Sequence, residues 1–131
     1  QNVQVLLHPT LTDTHAAYAD SRRVGSVLGT STSGIAEGEA ALAAYRATGT
    51  LPDGYRYTQQ GIGMPAVFLA RYLGLRGPAY TVSTACTSSA KAFASARELL
   101  RHDFCDAVLV GGVDSLCRLT INGFTALEST T

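Results

Sequence analysis

Ala79-Tyr80-Thr81-Val82-Ser83-Thr84-Ala85-Cys86-Thr87-Ser88-Ser89-Ala90-Lys91-Ala92 contains the change of local structure on which the reading of this chain turns. The half ending at Ala85 is small and β-branched, which suits a buried strand. The half beyond Cys86 opens a run of good helix formers that continues to about Arg101. Cys86 therefore falls where a strand turns into a helix. The unpaired N–H groups and positive dipole end of a helix favour a thiolate, the reactive form of cysteine. The same amides can bind the oxyanion formed when a thiolate attacks a thioester carbonyl. Placement alone does not make a nucleophile, because cysteine is also among the residues most often fully buried.

Outward from this segment, strand and helix signals alternate. Arg23-Val24-Gly25-Ser26-Val27-Leu28-Gly29-Thr30 reads as a buried strand, followed by a polar loop from Ser31 to Gly34. Ser33 is placed to cap a helix from Ile35 to about Thr48, with Glu37 and Glu39 near its positive end. Gly49 to Gly54, with Pro52-Asp53-Gly54, is a turn. A second helix covers Met64 to Leu73, with Pro65 tolerated in its first turn, and Gly74 to Pro78 ends it. Ala90, Phe93, Ala96 and Leu100 recur at helical spacing and predict the buried face of the helix beyond Cys86. Asp106 to Val113 is another apolar strand, closed by Gly111-Gly112. At the start of the chain, Val3, Leu6 and Leu7 have helical spacing. Pro9 interrupts that helix or begins the next, over Thr10 to Ala19. The alternation predicts an α/β layered fold with a largely parallel sheet.

The chain has 131 residues, the size of one domain, of which 46% are hydrophobic and 15% charged. About 25% charged is usual for a small domain, so much of this surface is expected to be covered by something else. Net charge is zero, with one lysine, Lys91, among ten basic residues and no basic run, which argues against nucleic acid as a partner. No apolar stretch approaches the ~20 residues that span a bilayer, and no signal peptide is evident. Cys86, Cys105 and Cys117 follow no metal-like spacing, and an odd count argues against a disulfide framework. A reducing, cytoplasmic setting is expected.

Several blocks, in order, resemble the β-ketoacyl-acyl carrier protein synthases, the condensing enzymes of fatty acid and polyketide synthesis. Thr84-Ala85-Cys86-Thr87-Ser88-Ser89-Ala90 is similar to the family's nucleophile motif. Phe68-Leu69-Ala70 precedes it and Ala107-Val108-Leu109-Val110-Gly111-Gly112 follows it. Arg23-Val24-Gly25 through Gly29-Thr30-Ser31-Thr32-Ser33-Gly34 resembles the family's second strand and loop, and Gly123-Phe124-Thr125-Ala126-Leu127 the stretch leading toward the middle of such enzymes. The resemblance covers nearly the whole chain and weakens before about Arg22.

The resemblance implies one lobe of the duplicated thiolase-like fold, with a mixed, largely parallel sheet flanked by helices. It implies that Cys86 takes an acyl group from the phosphopantetheine of an acyl carrier protein, and that its backbone N–H supplies half of an oxyanion hole. The acyl-enzyme then condenses with a carbanion made by decarboxylating a malonyl-carrier thioester. No metal or organic cofactor is implied. The strand over residues 79–84 is expected to pair across a homodimer. The family's two catalytic histidines lie in its second half, and His8, His15 and His102 match neither of those motifs. Residues 1–131 thus read as a partial N-terminal lobe without its first strand and without the C-terminal lobe, expected to fold poorly and not to condense alone.

Other motifs have plainer readings. Lys91 stands where many family members carry histidine, but lysine is rarely buried and is expected to face water. Cys105 and Cys117 read as packing residues, and Asp114 as structural. Gly61-Ile62-Gly63-Met64-Pro65-Ala66 fits a loose dinucleotide pattern, but Tyr57-Thr58-Gln59-Gln60 before it is a poor strand, so that reading is set aside. Arg56, Arg71 and Arg76 are candidates to meet an acidic carrier protein, against the plain reading of solvated arginines. Two other functions compete: a thiolase-fold enzyme using coenzyme A thioesters, and a non-catalytic partner lobe. The nucleophile wording favours the carrier-protein type, and the presence of Cys86 counts against the partner lobe.

Overall fold

The computed structural model describes residues 3–7 and 18–130. Along the chain come β1 (Val3–Leu7), β2 (Val24–Gly29), α1 (Ile35–Thr48), α2 (Met64–Tyr72), β3 (Ala79–Val82), α3 (Ser88–Arg101), β4 (Ala107–Gly112) and α4 (Arg118–Ala126). Short 3₁₀ turns cover Ser21–Arg23 and Tyr57–Gln60. These elements divide into two compact units. One holds the described residues up to Ser31 together with Ile62–Val113, the other Thr32–Gly61 together with the residues from Asp114 on.

The first unit is built on a four-stranded sheet of order β1-β4-β2-β3. β2 runs parallel to both neighbours, Val27 standing opposite Val110 on β4 and Tyr80 on β3. All six residues of β2 are buried, the near-continuous apolar run expected of a central parallel strand. One face of the sheet packs Val27, Val108 and Val110 against Ala92, Ala96 and Leu100 of α3. The other packs Val24, Ala107 and Leu109 against Leu69 of α2 and Leu75 beyond it.

The buried row of α3 is Ser88, Ala92, Ala96 and Leu100, one residue in four. Ala90, expected on that face, is exposed, and Phe93 is half-buried at its margin. Small side chains along the row let the helix axis come close to the sheet. Two glycines complete the approach. A Cβ on Gly29, the last residue of β2, would lie 2.6 Å from the backbone of Ser88 and Ser89. One on Gly112, the last of β4, would lie 2.0 Å from Ser89 Oγ.

The N-terminal helix expected from Val3, Leu6 and Leu7 is instead β1, antiparallel to β4 with Val5 opposite Leu109. Three apolar residues in seven do not settle the period, and the open edge of β4 supplies the hydrogen bonds that local sequence does not. Leu6 and Leu7 pack on opposite faces of the sheet, as strand alternation requires. Most of the Thr10 to Ala19 helix expectation lies outside the described residues. Tyr18 and Ala19, which are described, form a turn and a bend. Arg23, read as part of the strand, sits in the turn before β2. Its guanidinium donates to both carboxylate oxygens of Asp106 at 2.8 and 2.7 Å, linking the starts of β2 and β4.

In the second unit, α1 ends as expected at Gly49, whose left-handed φ of 76° lets its N–H reach the Tyr45 carbonyl. The expected Ser33 cap is absent. Ser33 has φ 46°, its hydroxyl donates to the Gly61 carbonyl, and Gly34 takes the cap position without a side-chain bond. Glu39 makes the longer connection. Its two carboxylate oxygens accept the N–H groups of Arg118 and Leu119 at 2.8 and 2.6 Å, satisfying the first turn of α4. Asp114 Oδ1 accepts from the N–H and hydroxyl of Thr32 at 2.8 and 3.1 Å, in keeping with its structural reading.

The glycine contacts give an expected pair of outcomes. Gly29→Ala forces backbone apart and should lower stability by about 1–3 kcal/mol. Gly123→Ala, in α4 with open space around it, should be neutral or gain up to about 1 kcal/mol. Thermal melts of the two variants check this.

Candidate active site

β3 stops at Val82 and α3 starts at Ser88, so the reversal between them takes five residues. Its pivot is Ala85, which holds φ 53°, a left-handed conformation that strains a residue with a Cβ by roughly 1–2 kcal/mol. Such strain persists only where surrounding contacts over-determine it. Here they do. The Ala85 carbonyl accepts the Ser88 N–H at 3.0 Å and the Ser88 hydroxyl at 2.6 Å. The Thr84 N–H donates to the same Ser88 oxygen at 2.9 Å. Outside that bond, Thr87 Oγ1 donates to the Thr84 carbonyl at 2.8 Å and lies 3.0 Å from the Thr84 hydroxyl.

Cys86 is the residue after the strained alanine, two positions before the helix begins, and it is exposed. The strand-to-helix position read from the sequence is where the chain places it. The strand, however, ends at Val82 rather than Ala85 and is half-buried rather than buried, because it lies at the edge of the sheet. Cys86 lies just before the N-terminal end of a 14-residue helix, where orphan N–H groups and the dipole favour negative charge. An oxygen developing negative charge beside Cys86 is suited to that position.

The other cysteines are packed away. Cys105 is fully buried within the core that joins α3 to the sheet, and Cys117 is buried in the second unit with Sγ 3.1 Å from the Thr120 hydroxyl. Burial pushes the Cys105 thiol up, opposed by Arg23 and helped by Asp106.

The remaining sequence candidates do not join Cys86. Lys91 is exposed, as expected. Arg71 and Arg76 are exposed, and Arg56 donates to the carbonyls of Asp53 and Tyr55 in its own turn. His102 caps the far end of α3, roughly 21 Å along the helix, 3.5 Å from Glu98. His8 and His15 lie outside the described residues. Gly61 and Gly63 follow the 3₁₀ turn Tyr57–Gln60 rather than a strand, so the dinucleotide reading fails on context. Among the described residues, no three His, Cys, Asp or Glu side chains gather as a metal site, and no helix is long and apolar enough to cross a membrane.

Residues 4–131 match the family model for the beta-ketoacyl synthase N-terminal domain. The chain belongs to this family. One chain of a solved ketosynthase (ApeO) in complex with its chain length factor (ApeC) from Xenorhabdus doucetiae superposes with a TM-score of 0.80 at 43% identity. The match covers 89% of this chain and 30% of that one. One chain of a solved complex of a type II polyketide synthase acyl-carrier protein with its ketosynthase bound to the hexaketide gives 0.70 at 27% identity, over 82% of this chain and 28% of that one. Among sequences, the phenolphthiocerol synthesis polyketide synthase type I Pks15/1 of Mycobacterium bovis is 44% identical over 68 residues, 52% of this chain and 3% of that protein. The chain therefore spans under a third of these solved chains and a few per cent of the Mycobacterium bovis synthase. The mixed sheet flanked by helices is that of the thiolase-like ketosynthases, as expected.

Sequence reasoning reached Cys86 but missed Ser88. A serine at a helix start reads as a cap, and only the left-handed Ala85 shows why its hydroxyl turns back.

The contrast among cysteines has a direct readout. At pH 8, iodoacetamide should alkylate Cys86 at least about a hundredfold faster than Cys105 or Cys117, which react only through opening of the fold. Because the Cys105 thiol is raised, its contribution to stability is complete below the unfolded value near 9 and is lost as pH rises past it. Denaturation between pH 8 and 10 should show that fall, and Cys105→Ala should flatten it.

Proposed function

We propose that this chain carries the acyl-accepting site of a β-ketoacyl synthase in polyketide synthesis, with Cys86 as the nucleophile. The observation that carries this is the exposed Cys86 at a strained strand-to-helix elbow, in a chain matching the synthase N-terminal domain over nearly its whole length. The relatives named as polyketide synthases support the product class.

The Cys86 thiolate attacks the thioester carbonyl of an acyl chain held on the phosphopantetheine of an acyl carrier protein. A C–S bond forms to Cys86, the tetrahedral oxygen takes the negative charge, and the Cys86 N–H supplies one of the donors it needs. Collapse breaks the C–S bond to pantetheine, whose thiolate leaves and takes up a proton. In the second half, a malonyl-carrier thioester loses carbon dioxide and its carbanion attacks the acyl carbonyl on Cys86. The new C–C bond forms as the Cys86 C–S bond breaks. Thioester exchange of this kind needs neither metal nor organic cofactor. The histidines that assist decarboxylation in this family would come from the part of the synthase that this chain does not match, so residues 1–131 alone accept the acyl group without condensing it.

A homodimer through β3 is part of the same proposal. β3 is the edge of the sheet beyond β2, and its four residues are only half-buried. The chain length factor complex of the ApeO ketosynthase supports pairing of such subunits, with a second copy of this chain as the expected partner here. Three free thiols, two of them buried, suit a reducing compartment, and the cytoplasm is the setting proposed.

Intact mass with peptide mapping, after incubation with an acyl-pantetheine thioester, tests the chemistry. One adduct on Cys86 and none on Cys105 or Cys117 is expected, and equal labelling of all three would refute it. Transfer from coenzyme A in preference to carrier protein would place the chain among the coenzyme A-dependent thiolase-fold enzymes instead. Thr81→Pro, which removes an edge N–H, should shift the dimer toward monomer in sedimentation, while an unchanged dimer rejects the β3 interface.

A further inference from the structure

We propose that Ser88 is the positioning residue of the acyl-transfer site, setting the direction of the Cys86 N–H through the Ala85 carbonyl. The inference rests on the reading of Cys86 as nucleophile and adds to it the group that aims the oxyanion donor.

Ser88 is 3% exposed at the first residue of α3 and contacts three parts of the fold. Its oxygen accepts the Thr84 N–H at 2.9 Å, and its single proton has two acceptors in reach, the Ala85 carbonyl at 2.6 Å and the Thr30 carbonyl at 3.3 Å. The shorter bond takes the proton. With the Ser88 N–H also on the Ala85 carbonyl at 3.0 Å, two donors from one residue hold that oxygen toward the helix.

Planarity of the peptide does the rest. The Ala85–Cys86 bond is trans, so its C=O and N–H point in opposite directions in one plane. A carbonyl pulled toward the first turn of α3 sends the Cys86 N–H out on the other side. Without the Ser88 hydroxyl, Ala85 loses its strongest bond, and the left-handed conformation loses the contact that opposes its strain. The peptide is then free to rotate, and the donor leaves its place. Gly29 makes the arrangement possible, since any side chain there would push back the Ser88 backbone.

The test is single-turnover acylation of the full-length protein by an acyl-pantetheine thioester, with wild type, Ser88→Ala and Ser88→Thr. Ser88→Ala should lower the maximal rate of Cys86 acylation by ~10–100-fold with the half-saturating thioester concentration nearly unchanged, because aim is lost and binding is not. Ser88→Thr, which keeps the hydroxyl, should recover most of the rate. A folded Ser88→Ala protein acylated at the wild-type rate overturns the role of Ser88 and leaves the nucleophile intact. Wild type that never acylates on Cys86 removes the nucleophile reading itself, and the role of Ser88 with it. Should Ser88→Ala not fold, amide exchange in wild type decides. A Thr84 N–H protected well beyond a free loop amide is required, and a freely exchanging one refutes the brace.

Discussion

The distance between α3 and the sheet is the constraint on which the other features depend. Ala92 and Ala96 face the sheet where larger side chains would hold the helix off, and Gly29 and Gly112 remove the last obstructions at its first turn. Burial of Val27, Val108 and Val110 against that row supplies the driving force, at roughly 1.5–3 kcal/mol for each such side chain removed from water. Contact this close leaves the reversal between β3 and α3 little room, and five residues must turn the chain. A left-handed Ala85 follows from that shortage of space rather than from any preference of alanine.

A tight reversal would gain little if it were loose, and the hydroxyls of Thr87 and Ser88 prevent that by bonding the backbone of Thr84 and Ala85. Flexible long side chains are absent from residues 83–90, so almost no rotamer entropy is lost in fixing the loop. Cys86 is the one exposed cysteine of the chain and lies within this braced turn. The second unit uses a comparable device at larger scale, where the Glu39 carboxylate satisfies the start of α4.

How much of this was legible depended on where the determining contact lay. The strand-to-helix change around Cys86, the glycine end of α1 and the proline start of α2 are local signals, and each lies where residue chemistry puts it. The phase of α3 was shifted because Phe93, the largest apolar residue in the pattern, marks the margin of the buried face while alanines form its centre. β1 was unreadable because its partners, Leu109 and Val108, stand about a hundred residues away. The α4 helix gave little signal, with Asn122, Gly123 and β-branched residues in nine positions, and its cap comes from Glu39, far back along the chain. Ser33 and Ser88 were misjudged or missed for one reason: a serine near a helix start has several acceptors in reach, and only the path of the backbone chooses among them.

The two compact units are interleaved along the chain, the second being closed only by residues from Asp114 on. A ribosome delivers the sequence from one end, so Thr32 and Glu39 emerge long before Asp114, Arg118 and Leu119 exist to meet them. The four described strands and α3, in contrast, are all in hand once Val113 is made. The order of synthesis therefore favours the sheet and the reversal between β3 and α3 first, with α1 meeting α4 only afterwards.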